Sequence, residues 1–207
     1  IKSASFRPSR NGNWRAAIEP VCTLIAERIA RLGLRPKFTA ATLGHRLALG
    51  HFANRISGTW WERIHKGGSQ AISLFTIGFD EASGVIQFDG RSYDSTGMPV
   101  GLWQSELSRA VIHEKKLQYH WQGWLPAAPQ DRRHGFGEIV FDGAVQSAEL
   151  MRTGGGKFWD INETNPKQTA IRAIDLRRAS AILQLEQLSK IGDRELRTLV
   201  RKTLRTW

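Results

Sequence analysis

Two hydrophobic periods divide this chain. Over residues 16–32, Ile18, Val21, Ile25, Ile29 and Leu32 recur at steps of three and four. That spacing puts one apolar stripe on a helix and leaves the arginines opposite. Pro20 falls early enough for a first turn to tolerate it, and Gly33 and Pro36 stop the helix. A second helix is expected over 39–56, with Thr39 as N-cap and Leu43, Leu47 and Ile56 on its apolar line, although Gly44 and Gly50 weaken the pattern. From Gly58 the period becomes two. Eight strands are expected, over 58–65, 71–80, 84–93, 100–112, 116–125, 134–142, 147–153 and 169–178. The separators KGGS, DEASG, STGMP, PAAPQD, FDGA, GGG and NETNPK are turn-forming stretches. After Arg178 the helical period returns with Ile182, Leu185, Leu188 and Ile191. Gly192 and Asp193 break it before Leu196, Leu199, Val200 and Leu204.

Short strands in succession, with no helices between them, imply a barrel or sandwich rather than βαβ units. Gly78 and Gly90 fall inside strands, where a closing sheet has to bend, and the long fourth strand should break near Ser108. The expected fold is mainly β with helical flanks: an eight-stranded antiparallel barrel covered by N- and C-terminal amphipathic helices. Its divisions are a basic helical extension (1–56), the barrel (57–178) and a C-terminal helical extension (179–207). Trp60 and Trp61 open the first strand, and neighbours on a strand face opposite ways. One therefore enters the barrel, and the other needs a helix to cover it. Which is which depends on register.

The bulk composition, 207 residues with 41% hydrophobic and 24% charged, is that of a soluble globular protein. Cys22 is the sole cysteine, which excludes an intrachain disulfide and points to a reducing, cytoplasmic setting. No run of about 18 apolar residues supplies a membrane span. The sequence begins at Ile1, which leaves open an anchor upstream and membrane association through it. The net charge of +11 is uneven. Residues 1–57 carry ten Lys/Arg against two acids, residues 58–178 fourteen against fourteen, and residues 179–207 six against three. Basic flanks around a neutral centre suit docking on an acidic protein, nucleic acid or an anionic membrane; they also suit a merely solvated helix face.

The opening of the first strand, Gly58-Thr59-Trp60, resembles the Gly-x-Trp start of lipocalin-like barrels. Further along, KLQYHWQGWLP alternates Leu117, Tyr119 and Trp121. RHGFGEIVFDG follows with His134, Gly135 and Gly137, then AELMRTGGGKFWDI with Arg152, Thr153 and Gly155. This order, over roughly 57–178, resembles the minimal β-barrel effector of bacterial CBASS anti-phage signalling. The resemblance implies an eight-stranded barrel that senses a cyclic dinucleotide. In that family two transmembrane helices precede the barrel. Here two basic amphipathic segments stand in their place, so the resemblance implies a sensor acting through oligomerisation or a partner rather than membrane disruption.

Trp60, Trp61, Tyr93, Trp103, Tyr119, Trp121, Trp124 and Trp159 concentrate aromatic surface in the barrel segment. Flat aromatics stack nucleobases, at about 1–3 kcal/mol per base, and they also fill ordinary cores. Phosphate recognition wants arginine with hydroxyl donors. The expected ligand set is Trp60, Tyr93, Trp103, Tyr119, Trp121, Arg152, Thr153 and Arg172, for a small anionic ligand with no cofactor and no metal. RTGGGK lacks the spacing of a phosphate loop and reads as a glycine turn between strands. For an enzyme using the same cavity, Asp89, Asp94, Glu106, Glu138 and Asp175 are strand-borne carboxylates, with His120 as a base. For direct nucleic-acid binding, Arg7, Arg10, Arg15, Arg28, Arg31, Arg35 and Lys37 supply charge and Trp14 a stacking surface.

Overall fold

From Gly58 to Arg178 the two-residue period closes on itself. The computed structural model describes residues 40–66, 69–125, 128–144, 147–162, 170–179 and 193–207, with Thr23, Leu24 and Glu27. Apart from those three helical positions, the expected helix over 16–32 lies outside the described residues, as does the stripe from Ile182 to Ile191.

Helix α1 (Ala40–Ile56) leads into β1 (Gly58–Lys66), β2 (Ser69–Asp80), β3 (Val85–Tyr93) and β4 (Pro99–Val111). A 3-10 turn (Ile112–Glu114) joins β4 to β5 (Lys116–Leu125). β6 (Ala128–Phe141), β7 (Thr153–Asn162), β8 (Ala170–Arg178) and helix α2 (Asp193–Arg205) follow. Each strand is antiparallel to the one before it, and β8 returns to β1 to close the barrel. The break expected near Ser108 is a register shift between Ser105 and Leu107. Among the described residues no helix is long and apolar enough to cross a membrane.

Two expectations are corrected. The seventh strand is Thr153–Asn162 rather than 147–153, so the glycine run lies inside a strand and is not a turn. The reason is close approach: a Cβ on Gly156 would sit 2.0 Å from the Glu138 carbonyl oxygen, and one on Gly154 would sit 2.8 Å from that of Val140. Here glycine narrows the gap between neighbouring backbones, which composition alone cannot separate from a turn. In α1 the buried line is Ala48, Phe52, Ala53 and Ile56, whereas Leu47 is exposed. Small residues there let the helix lie close against the end of the barrel.

That end is packed solid. Trp60 is fully buried, and its ring meets Phe141 at 5.2 Å while its indole N–H donates to the Ile56 carbonyl at 2.7 Å. Phe52, Ala53 and Ile56 of α1 join Phe75, Leu117, Ile139 and Leu176 in the same core. Each large apolar side chain so buried contributes roughly 1.5–3 kcal/mol. Arg178, at the end of β8, ties the junction together. It donates to the carbonyls of Met151 (2.7 Å), Ser57 (2.6 Å) and Arg55 (2.5 Å), and its guanidinium lies 4.7 Å from the centre of the Trp60 ring. Two of those carbonyls flank the C-terminus of α1, where helix acceptors lack partners. Gly58, at φ 116°, makes the sharp exit from the helix, and a Cβ there would meet Arg178 Nη1 at 2.8 Å.

Trp61 points the other way. It is buried on the outer wall with Ile72, Leu74 and Tyr93, against Val200 of α2 and with Leu196, Leu199, Leu204 and Trp207 packed around. The paired tryptophans thus anchor two separate clusters, one inside the barrel and one under a helix.

Candidate functional site

The inward phase set by Trp60 carries Glu62 and Ile64 into the barrel from β1. Successive pairings bring Ser73, Ser92 and Gly101 level with Glu62. On the far wall Trp103, Tyr119, Trp121, Phe158, Asp160 and Arg172 share the interior. Between these walls lies a cavity of about 120 Å³, at the end of the barrel opposite α1. Trp103, Tyr119, Trp121, Trp124 and Phe158 give it an aromatic side. Trp121 and Phe158 stand edge to face at 5.8 Å, and Tyr119 meets Phe88 at 4.7 Å, so the rings are braced by the core below. Glycine makes room for them: a Cβ on Gly137 would lie 2.2 Å from Cζ of Tyr119.

Polar groups interrupt this apolar lining at two levels. On the floor Glu62 is only 3% exposed. Burial raises its carboxyl pKa from 4.5 to about 7, against a hydrogen bond from Ser73 that lowers it. Ser73 and Ser92 hydroxyls are 2.9 Å apart, which extends the polar floor across three strands. Burial also raises Tyr119 well above 10, and the nearby Glu62 charge adds to the effect. At the mouth, Oδ2 of Asp160 lies 3.5 Å from Arg133 Nη1 and 3.7 Å from Arg172 Nε. Two guanidiniums against one carboxylate leave that level positive.

Buried polar atoms here without a hydrogen bond among the described residues include Trp121 Nε1, Asp160 Oδ1 and Arg172 Nε, the last of them ion-paired with Asp160 Oδ2. Unsatisfied buried polar groups are few in folded proteins, and each costs about 1–3 kcal/mol. All three belong to residues that line this one cavity.

Of the eight residues expected from sequence, Trp103, Tyr119, Trp121 and Arg172 line this cavity. The other four do not join them. Trp60 is part of the packed opposite end. Tyr93 faces outward beneath α2. Arg152 and Thr153 are exposed beside the start of β7, where the Thr153 hydroxyl donates to Asp142 at 2.7 Å. Of the strand-borne carboxylates, Asp89, Asp94, Glu138 and Asp175 do not line the cavity. Asp175 instead pairs with Arg63 and His65 outside, and Asp94 accepts from the Thr96 and Met98 amides. The Glu106 side chain lies outside the described residues. Sequence reasoning missed Glu62, Ser73, Arg133 and Asp160. The available signal was an acid two residues from a tryptophan on one strand, which acquires meaning only once Trp60 is known to face inward. Among the described residues no three His, Cys, Asp or Glu side chains converge on a metal-sized site.

Comparison with models of known protein families and with curated protein sequences finds no match for this chain.

Proposed function

We propose that this protein is a ligand-sensing barrel whose mouth cavity holds the planar ring of a small anionic ligand. The observation that carries the reading is a pair of buried polar atoms, Trp121 Nε1 and Asp160 Oδ1, without a hydrogen-bond partner among the described residues, in a cavity whose aromatic rings stand edge to face. Aromatic sides suit a flat ring, and Arg172 and Arg133 suit a phosphate passing out at the mouth. Size limits what enters. The cavity has room for about four waters' worth of volume, whereas whole drug-sized ligands fill about 300–1,000 Å³. One ring system goes inside, and the rest of the ligand stays at the rim.

The resemblance of residues 57–178 to the CBASS barrel effectors, together with the Gly58-x-Trp60 opening of a lipocalin-like barrel, selects a cyclic dinucleotide within that description. One base stacks on Trp103 and Trp121, and the phosphates meet the arginines. The ligand stabilises whichever state binds it, and oligomerisation or a partner carries the output.

The test is a thermal-shift panel of cyclic dinucleotides, mononucleotides and inorganic phosphate. A rise in Tm with a nucleotide, lost in Arg172→Ala and in Trp121→Ala while both variants keep their near-UV spectra, supports the proposal. No rise with any nucleotide at millimolar concentration removes it.

A further inference from the structure

The floor of the cavity differs in character from its mouth. At the mouth the acid is matched by arginines; at the floor the polar groups around Glu62 among the described residues are the Ser73 and Ser92 hydroxyls and the Tyr119 phenol, with Asp160, Arg133 and Arg172 a level above. A carboxylate there has two oxygens and one hydroxyl donor, from Ser73. The Glu62 side chain lines the space between the aromatic walls. Trp121 Nε1, without a hydrogen-bond partner among the described residues, adds one donor, and Asp160 Oδ1 one further acceptor. The cavity therefore offers a pattern: acceptors at the floor and one wall, and a donor on the tryptophan.

Resting on the nucleotide reading, we propose that Glu62 is a specificity residue that accepts the adjacent ring and amino N–H groups of a guanine-type base. Guanine presents two neighbouring N–H donors on one edge, which match the two oxygens of a carboxylate, and its carbonyl oxygen can accept from Trp121 Nε1. Adenine presents a donor beside an acceptor on the same edge, which leaves one carboxylate oxygen facing a lone pair. A site built to bond a donor rejects an analogue that lacks it, because its own buried group is then left unpaired.

The state of Glu62 adds a direction. Two N–H donors favour the ionised carboxyl, so guanine binding releases a proton and tightens as pH rises through about 7. A protonated Glu62, one donor and one acceptor, matches adenine instead, so adenine binding weakens over the same range.

The experiment is calorimetric titration of the full chain with GMP, IMP, AMP, cyclic di-GMP and cyclic di-AMP, at pH 6 and pH 8. Wild type is compared with Glu62→Gln and Ser73→Ala, each checked for its near-UV spectrum. At pH 8 the wild type should favour GMP over AMP by at least about tenfold, with IMP between. Glu62→Gln, which pairs one donor with one acceptor, should abolish or invert that preference and remove its pH dependence. Ser73→Ala should keep the preference and shift its pH dependence upward. Equal affinity of the wild type for GMP and AMP, or a preference unchanged in Glu62→Gln, overturns the role given to Glu62 and leaves the nucleotide reading standing. No binding of any of the five overturns both.

Discussion

Replacing Glu62 by glutamine should stabilise the protein in neutral to alkaline solution and change little in mild acid. The carboxyl is 3% exposed, and burial lifts its pKa from 4.5 to about 7. In the unfolded chain it ionises near 4.5. Between that value and about 7 the folded protein keeps a proton that the unfolded chain has released. Stability therefore falls as pH rises through this window and levels off above it. The gap of about 2.5 units at 1.36 kcal/mol each corresponds to about 3 kcal/mol of penalty above pH 7. Glutamine fits the same space and can accept from Ser73, but it never carries the charge. For a chain of this length 3 kcal/mol corresponds to a Tm difference of roughly 6–12 °C. Near-UV circular dichroism of wild type and variant, melted at intervals from pH 4.5 to 8.5, isolates the group because all other titrations cancel in the difference. The two curves should meet near pH 4.5 and diverge toward pH 7.5. A constant separation, or a variant less stable at pH 8, would refute the placement of Glu62 in a buried floor.

Three other outcomes follow from the packing. Arg178→Ala strips three carbonyls of a charged donor and Trp60 of its cation, and should cost about 2–4 kcal/mol in urea unfolding, with Arg178→Lys recovering less than half. A loss below about 0.5 kcal/mol would mean water replaces those bonds. Gly137→Ala should drive Tyr119 off its position, costing at least about 1–3 kcal/mol and abolishing ligand-induced stabilisation together, as read by thermal shift. On the outer wall, Trp61→Ala should cost about 3–5 kcal/mol because it hollows the cluster under α2, whereas Phe136→Ser, 56% exposed, should stay within about 0.5 kcal/mol in the same unfolding assay.

The barrel was legible because its strands alternate and its turns are chemically marked. Seven of the eight expected strands overlap the observed ones closely, although β6 starts at Ala128, within the stretch PAAPQD that reads as a turn. The seventh was displaced because three consecutive glycines look the same in sequence whether they turn a chain or let two strands touch. The site was half legible, and for one reason. Trp103, Tyr119 and Trp121 belong to strands whose aromatic content advertised them, and Arg172 stood out as a strand-borne cation suited to phosphate. Glu62 and Asp160 carry no such mark. Their role depends on which phase faces inward, and β1 offers a tryptophan to each phase. The choice falls to α2, which covers Trp61, and to Phe141 with Ile56, which receive Trp60. Those are contacts between segments far apart in the chain, beyond the reach of local pattern.

The most direct test of the cavity as a ligand site is the indole N–H signal of Trp121, followed in a ¹⁵N-labelled protein as a guanine nucleotide is added. This resonance should move downfield as Nε1 donates to the ligand, while Trp60, already bonded to the Ile56 carbonyl, should stay where it is. Saturable binding that leaves Trp121 unmoved, or that shifts Trp60 instead, would contradict it.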